Sequence, residues 1–175
     1  MIDFTDISYL KNGSEKQKFT FNLLTNNGIM NVLTGFDPIL AGTIPLNINI
    51  EGSDLDIVCY WKNKEDFVAV VISHFAENLN FNIRETIIQY QETVIANFFI
   101  DGFEIEIFGQ NIPSKQQYAY RHMLVEYKIL QERGEDFRIA VIELKRQGLK
   151  TEPAFAQLLG LSGNPYESLL AFEDN

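Results

Sequence analysis

Asp54 and Asp56 stand two residues apart in Asp54-Leu55-Asp56-Ile57-Val58-Cys59-Tyr60, a run whose alternating apolar residues predict a strand. Side chains alternate along a strand, so both carboxylates point to one face while Leu55, Ile57 and Cys59 face the other. Two carboxylates side by side repel unless a cation lies between them, and hard oxygen donors suit Mg2+ or Mn2+. Taken alone, the pair also fits a solvated strand face.

A third carboxylate comes from a hairpin. Asp101-Gly102 predicts a two-residue turn joining the segment Thr93 to Ile100 with Phe103 to Phe108. That turn sets Ile100 opposite Phe103, Phe99 opposite Glu104 and Asn97 opposite Glu106, so Asn97, Phe99, Glu104 and Glu106 share one face. Glu106 lies opposite a polar residue and further from the turn, and it is expected to be the third ligand or base. Glu104, nearer the tip and opposite a phenylalanine, is the alternative. His122 and Glu126 have helical i, i+4 spacing, which fits a local hydrogen bond or a supporting role at a site. Two histidines and Cys59 have no zinc-ligand spacing.

The elements that must position these groups follow from periodicity and breakers. The first forty residues read as helical, with a capping-box pattern at Ser14 and Gln17. Ile39-Leu40-Ala41 is a short strand ending at Gly42. Lys64 to Leu79 has the spacing of a helix, with Phe67, Val70, Val71, His74 and Phe75 on its apolar face. Phe81 to Tyr90 is rich in strand formers. Ser114 and Gln117 repeat the capping-box pattern ahead of a helix running to Gly134, and a further helix stops near Gly148. Thr151-Glu152-Pro153 and Asn164-Pro165-Tyr166-Glu167 each open a short helix. The order predicts an α+β fold: a mixed sheet with helices over residues 1–113 and a C-terminal helical extension over 114–175, packed on the core.

The segment Gly42 to Ile57 resembles the signature of the nucleotidyltransferase superfamily, whose minimal fold is that of polymerase beta. That signature is a glycine followed by serine or glycine, a spacer, then two acidic residues each followed by an apolar one. Phe103-Glu104-Ile105-Glu106-Ile107 resembles its third acidic strand. The whole chain is also similar to an uncharacterised bacterial family within that superfamily, on Ser53-Asp54-Leu55-Asp56, Gly109-Gln110-Asn111-Ile112-Pro113, Tyr120-Arg121-His122-Met123 and Leu149-Lys150-Thr151-Glu152-Pro153-Ala154-Phe155. The resemblance implies a magnesium or manganese site at Asp54, Asp56 and Glu106, a nucleoside triphosphate substrate, close backbone approach at Gly42, and phosphate contacts from Thr43 or Ser53. Arg84, Arg121 and Lys150 are the candidate cations for the triphosphate. Thr43 replaces the usual serine or glycine, and Ile44-Pro45-Leu46 replaces the Ala-Arg-Gly of antibiotic-modifying members.

Composition sets the partners. The chain has 175 residues, 46% of them hydrophobic, enough to bury a core. Its net charge of −10, from 14 basic and 24 acidic residues, repels a phosphate backbone, so long nucleic acid is not an expected partner. No apolar run is long enough to span a bilayer, the N-terminus lacks the pattern of a signal peptide, and one cysteine forms no internal disulfide. A cytoplasmic protein is expected. The resulting reading is transfer of a nucleotidyl group from a nucleoside triphosphate to a small-molecule or protein hydroxyl. The alternative is a catalytically inactive binding or regulatory module of the same fold, or an antitoxin-like protein with a protein partner.

Overall fold

The structure is a computed structural model and describes residues 2–173. The chain divides into two compact units, one of residues 1–41 and 54–117 and the other of 42–53 and 118–175. No helix among the described residues is long and apolar enough to cross a membrane.

The first unit is built on a five-stranded mixed sheet. Its strands are β1 (Ile39–Ala41), β2 (Leu55–Tyr60), β3 (Leu79–Ile88), β4 (Gln91–Ile100) and β5 (Phe103–Gln110), in the order β1-β2-β5-β4-β3. β2 runs parallel to β5, and every other neighbouring pair is antiparallel. The α+β expectation holds. α1 (Glu15–Asn26) opens with the capping box foreseen at Ser14 and Gln17, each side chain accepting from the other's backbone N–H. α2 (Ile29–Val32) is a single turn. α3 (Lys64–Phe75) buries Phe67, Val71 and Phe75, and Phe75 stacks on Phe98 of β4 at 4.8 Å. One sheet face thus carries Leu55, Ile57, Ile105, Ile107 and Phe98, all fully buried.

Three local expectations are corrected. α3 ends at Phe75, not Leu79, because the side chain and backbone N–H of Asn78 both donate to the Phe75 carbonyl and close the last turn. His74 is exposed, its Nδ1 lying 3.0 Å from the Val70 carbonyl oxygen. Ser114 and Gln117 do not form a capping box. The Ser114 hydroxyl donates to the Asp37 carbonyl, and the Gln117 amide donates to the carbonyls of Cys59 and Ile112. Their side chains satisfy loop and strand-end carbonyls that burial would otherwise leave unpaired.

Both hairpin turns have two central residues with positive φ. Asp101-Gly102 (50° and 79°) uses residues that tolerate this region, whereas Gln89-Tyr90 (51° and 64°) does not. No Asn-Gly or Asp-Gly marks the second turn, which is why the sequence does not announce it. Tyr90 is 98% exposed and contributes no core contact. Replacing Gln89-Tyr90 by Asn-Gly is therefore expected to stabilise the fold by about 1 kcal/mol, read as a higher urea midpoint with an unchanged slope.

The second unit contains α4 (Tyr118–Arg146), interrupted by non-helical backbone at Gly134 as the sequence suggested, with α5 (Thr151–Leu159) and α6 (Pro165–Leu170). Residues 42–53 form a turn in which Thr43 accepts from the Ile48 N–H and the Ser53 hydroxyl from that of Ile50. Arg138 donates to the Asn47 carbonyl and the buried Lys145 to that of Ile48. His122 and Glu126 are both buried. His122 Nε2 meets the Tyr166 carbonyl oxygen at 2.9 Å, so that nitrogen carries the proton. Burial, then the Glu152 carboxylate, push the Glu126 carboxyl well above the ordinary range, and Lys145 opposes them.

Candidate functional site

Strand register sets Asp56 beside Glu106. Ala41 of β1 pairs with Asp56 of β2, Asp56 with Glu106 of β5, Glu106 with Asn97 of β4, and Asn97 with Asn82 of β3. These five residues form one row across the whole sheet. Register partners project to the same face, so Asp56 and Glu106 are immediate neighbours at the single parallel junction. Asp54 lies directly ahead of β2, and Leu55 between the two aspartates pairs with Ile105 on the buried side. Glu104 lies one step nearer the hairpin tip, opposite Phe99. The hairpin alignment therefore follows the pattern read from Asp101-Gly102.

Asn97 joins the acidic groups to one another and to a cation. Its amide nitrogen lies 3.2 Å from Glu104 Oε1 and 3.2 Å from Glu106 Oε2. Its carbonyl oxygen accepts from Arg84 Nη1 at 2.9 Å. The sequence places Asn97 on this face without a role; its position opposite Glu106 was the available signal. Asp54, Asp56, Asn97, Glu104 and Glu106 are all half-buried, while Arg84 is exposed. Burial raises the Glu106 carboxyl above the ordinary glutamate range, and the charges of Asp54 and Glu104 add to that effect. The Asn97 hydrogen bond and the Arg84 charge oppose it.

Carboxylate oxygens are the kind of donor that hard divalent cations take. The backbone fixes Asp56 beside Glu106, with Asp54 next in line. The side-chain oxygens are not drawn together, and among the described residues no group of three or more His, Cys, Asp or Glu could hold a metal ion as placed. In this arrangement Oε2 of Glu106 is turned to Asn97.

The remaining predicted residues are placed as follows. Gly42 has φ of 73°, a conformation that favours glycine, and it directly follows β1 in the chain. Arg121 is held by Glu173 through its Nε and Nη2, the shortest contact being 2.6 Å. Lys150 is exposed at the start of α5 and gives no side-chain cap. Arg84 reaches the acidic row through the Asn97 carbonyl oxygen.

Residues 22–172 match the family described as "Domain of unknown function (DUF4269)". The chain belongs to the DUF4269 family. No curated protein matches it. Solved structures fix the fold of this DUF4269 chain. The polymerase core of TRAMP, an RNA surveillance complex, aligns with a TM-score of 0.56 and 11% identity, over 95% of this chain and 59% of that one. The GLD-2/RNP-8 complex aligns at 0.55 and 14%, over 87% and 61%. The Cid1 poly(U) polymerase with MgGTP bound aligns at 0.55 and 10%, over 76% and 42%. The DUF4269 chain thus has a polymerase-beta-like nucleotidyltransferase fold, and it spans about two fifths to three fifths of the length of these structures.

Proposed function

We propose that this chain is a divalent-metal-dependent nucleotidyltransferase that moves a nucleotidyl group from a nucleoside triphosphate to a hydroxyl of a small molecule or a protein. The observation that carries this reading is the in-register pair Asp56 and Glu106 on adjacent parallel strands of a nucleotidyltransferase-like sheet. Asp54 stands directly ahead of that pair. Asp54, Asp56 and Glu106 would hold magnesium or manganese, which supplies charge neutralisation at the phosphates and lowers the pKa of a bound hydroxyl.

In the transfer, the acceptor oxygen bonds to the α-phosphorus. The bond from that phosphorus to the oxygen bridging to the β-phosphate breaks, and pyrophosphate leaves. The hydroxyl proton must depart as the new bond forms, and Glu106 is the group assigned to take it. Arg84 is the cation we assign to a phosphate oxygen, since its charge already acts on Glu106. Gly42, Thr43 and Ser53 are assigned to the phosphates by resemblance. Arg121 is less suited, being committed to Glu173.

The similar structures include a poly(U) polymerase and an RNA surveillance polymerase. A net charge of −10 disfavours a long polyanion here, which supports a small-molecule or protein acceptor. The test is thermal unfolding with magnesium and each of ATP, GTP, CTP and UTP. Metal plus one nucleotide is expected to raise the Tm, by about 2.7 kcal/mol of stabilisation at a hundredfold excess over Kd, and Asp54→Asn/Asp56→Asn should erase the shift. No shift under any combination would overturn the reading. A shift without pyrophosphate release toward any hydroxyl acceptor would leave a binding module in place of an enzyme.

A further inference from the structure

The second unit buries His122, Glu126 and Lys145, at 5%, 4% and 6% exposed, and the proposed transfer uses none of them. On an unbroken α4, Glu126 and Lys145 would stand about 28 Å apart. The Lys145 charge nonetheless acts on the Glu126 carboxyl, because non-helical backbone at Gly134, with φ of 77°, redirects the chain between them. Lys145 Nζ donates to the Ile48 carbonyl at 2.9 Å and so fastens residues 42–53 to α4, with Arg138 on the neighbouring Asn47 carbonyl. Around Glu126, α5 supplies the like charge of Glu152, and His122 of α4 has Nδ1 4.0 Å from Glu152 Oε1. α6 supplies the Tyr166 carbonyl, which His122 Nε2 holds, and the Tyr166 phenol, on which Glu152 also acts. Arg121 and Arg138 are committed to Glu173 and Glu135. Burial beside Glu152 keeps the proton on Glu126 further up the pH scale than on an ordinary glutamate. A neutral Glu126 leaves the Lys145 ammonium to the Ile48 carbonyl, whereas an ionised one is a buried anion that requires a cation of its own.

We propose that Glu126 and Lys145 form a proton-controlled latch on residues 42–53. With the proton on Glu126, Lys145 donates to the Ile48 carbonyl and the segment is held. When that proton leaves to solvent, the ammonium is drawn onto the carboxylate and the Ile48 carbonyl loses its partner. The segment so released runs from Gly42 to Ser53, directly ahead of Asp54 in the chain. The latch needs neither nucleotide nor metal, and it holds whether or not the chain is a transferase. Its sign follows from the proton being bound more tightly in the folded state than in the unfolded chain. The closed latch is fully present below the ordinary glutamate range, about pH 4, and is lost as pH rises through the folded value.

The experiment is hydrogen–deuterium exchange of the full chain between about pH 5 and pH 9, corrected for intrinsic exchange. It reads the amides of Ile48, bonded to the Thr43 carbonyl, and of Ile50, bonded to the Ser53 hydroxyl. Wild type is compared with Glu126→Gln, Glu152→Gln, His122→Gln and Lys145→Met, each checked for fold by circular dichroism. Above the folded value, wild-type protection is expected to fall by up to about tenfold per pH unit, the slope of one linked proton. Glu126→Gln should keep its protection across the range, and Lys145→Met should be unprotected at every pH. Glu152→Gln removes the like charge, so its loss of protection should begin at lower pH. His122→Gln should keep the wild-type pH dependence. Wild-type protection that is flat with pH, or a fall that persists in Glu126→Gln, would overturn the latch. So would full protection in Lys145→Met, a His122→Gln variant without the fall, or a Glu152→Gln step at or above the wild-type pH. Protection lost equally throughout α5 and α6 would overturn it as well, because that is opening of the whole unit. If Glu126→Gln or Lys145→Met fails to fold, Glu152→Gln decides: an earlier step supports the latch and an unmoved one overturns it.

Discussion

Glu106→Gln is expected to lower nucleotidyl transfer by about a thousandfold or more and, at neutral pH, to raise the melting temperature. The two effects have opposite signs for one reason. Glu106 sits half-buried beside Asp56, with Asp54 and Glu104 close enough to act on it, and burial raises its carboxyl above the ordinary range. A carboxyl bound more tightly to its proton in the folded state than in the unfolded chain contributes stability that is fully present below the unfolded pKa. That contribution is lost as pH rises through the folded value. Above its folded pKa the wild-type group is ionised at a stability cost, and glutamine removes that cost while keeping an oxygen to accept from Asn97. The gain in Tm should therefore be visible at pH 7 and shrink toward nothing below about pH 4, the ordinary range of a glutamate. Transfer fails because glutamine can neither take the acceptor proton nor neutralise a metal ion, losses of the size seen when a single electrostatic partner of the transition state is removed. Scanning calorimetry between pH 4 and pH 7, with pyrophosphate release measured in parallel, reads both effects. A Tm that falls at pH 7, or transfer that survives, would contradict the assignment. Added magnesium should stabilise the wild type and leave Glu106→Gln nearly unchanged.

How far the sequence announces this site depends on how local each signal is. The Asp101-Gly102 hairpin was legible because a two-residue turn leaves only one register, and every cross-strand pair from Ile100 with Phe103 to Asn97 with Glu106 follows from it. The pairing of Asp56 with Glu106 was less legible. A parallel junction between strands separated by residues 61–102 is fixed by the helix and hairpin between them, and no residue in either strand states the register. The sequence offered a shared face as what the chemistry required, and the resemblance to the nucleotidyltransferase signature supplied the rest. What stayed hidden was the use of polar side chains over long distances. Ser114 looked like a cap and instead holds the Asp37 carbonyl, 77 residues away in sequence. Gln117, the partner expected in that cap, holds the Cys59 carbonyl at the end of β2. Asn97 looked like a polar strand residue and ties together two carboxylates and an arginine. Each bond has the same chemistry as the local alternative, so composition and spacing do not separate them.

Gly109→Ala is expected to destabilise the first unit by about 3 kcal/mol. Gly109 has ordinary extended backbone, so its importance comes from the space beside it. A Cβ built there would lie 2.3 Å from Cε1 and 2.6 Å from Cζ of Phe67, and 3.0 Å from Cδ1 of Trp61. Both rings are buried. Phe67 is fully buried on α3 with Phe36 edge-on at 5.0 Å, and Trp61 is buried at the end of β2. The backbone can retreat only by disturbing its neighbours, because Gly109 is paired with Cys59 on one side and Val94 on the other. A central strand held on both edges passes strain along its length, and Glu106 lies three residues away on the same strand. The urea midpoint of Gly109→Ala should fall, and Phe67→Leu in the same chain should restore part of the loss, giving a coupling energy of about 1 kcal/mol or more. Strict additivity of the two changes would mean that the methyl is opposed by something other than Phe67. The folded fraction of Gly109→Ala should also bind Mn2+ more weakly than wild type, because β5 can relieve the contact only by shifting against β2, and that shift moves Glu106 away from Asp56. Weakened metal binding from a methyl group on the opposite face of the sheet would show that the register of the β2–β5 junction itself sets the geometry of the acidic site.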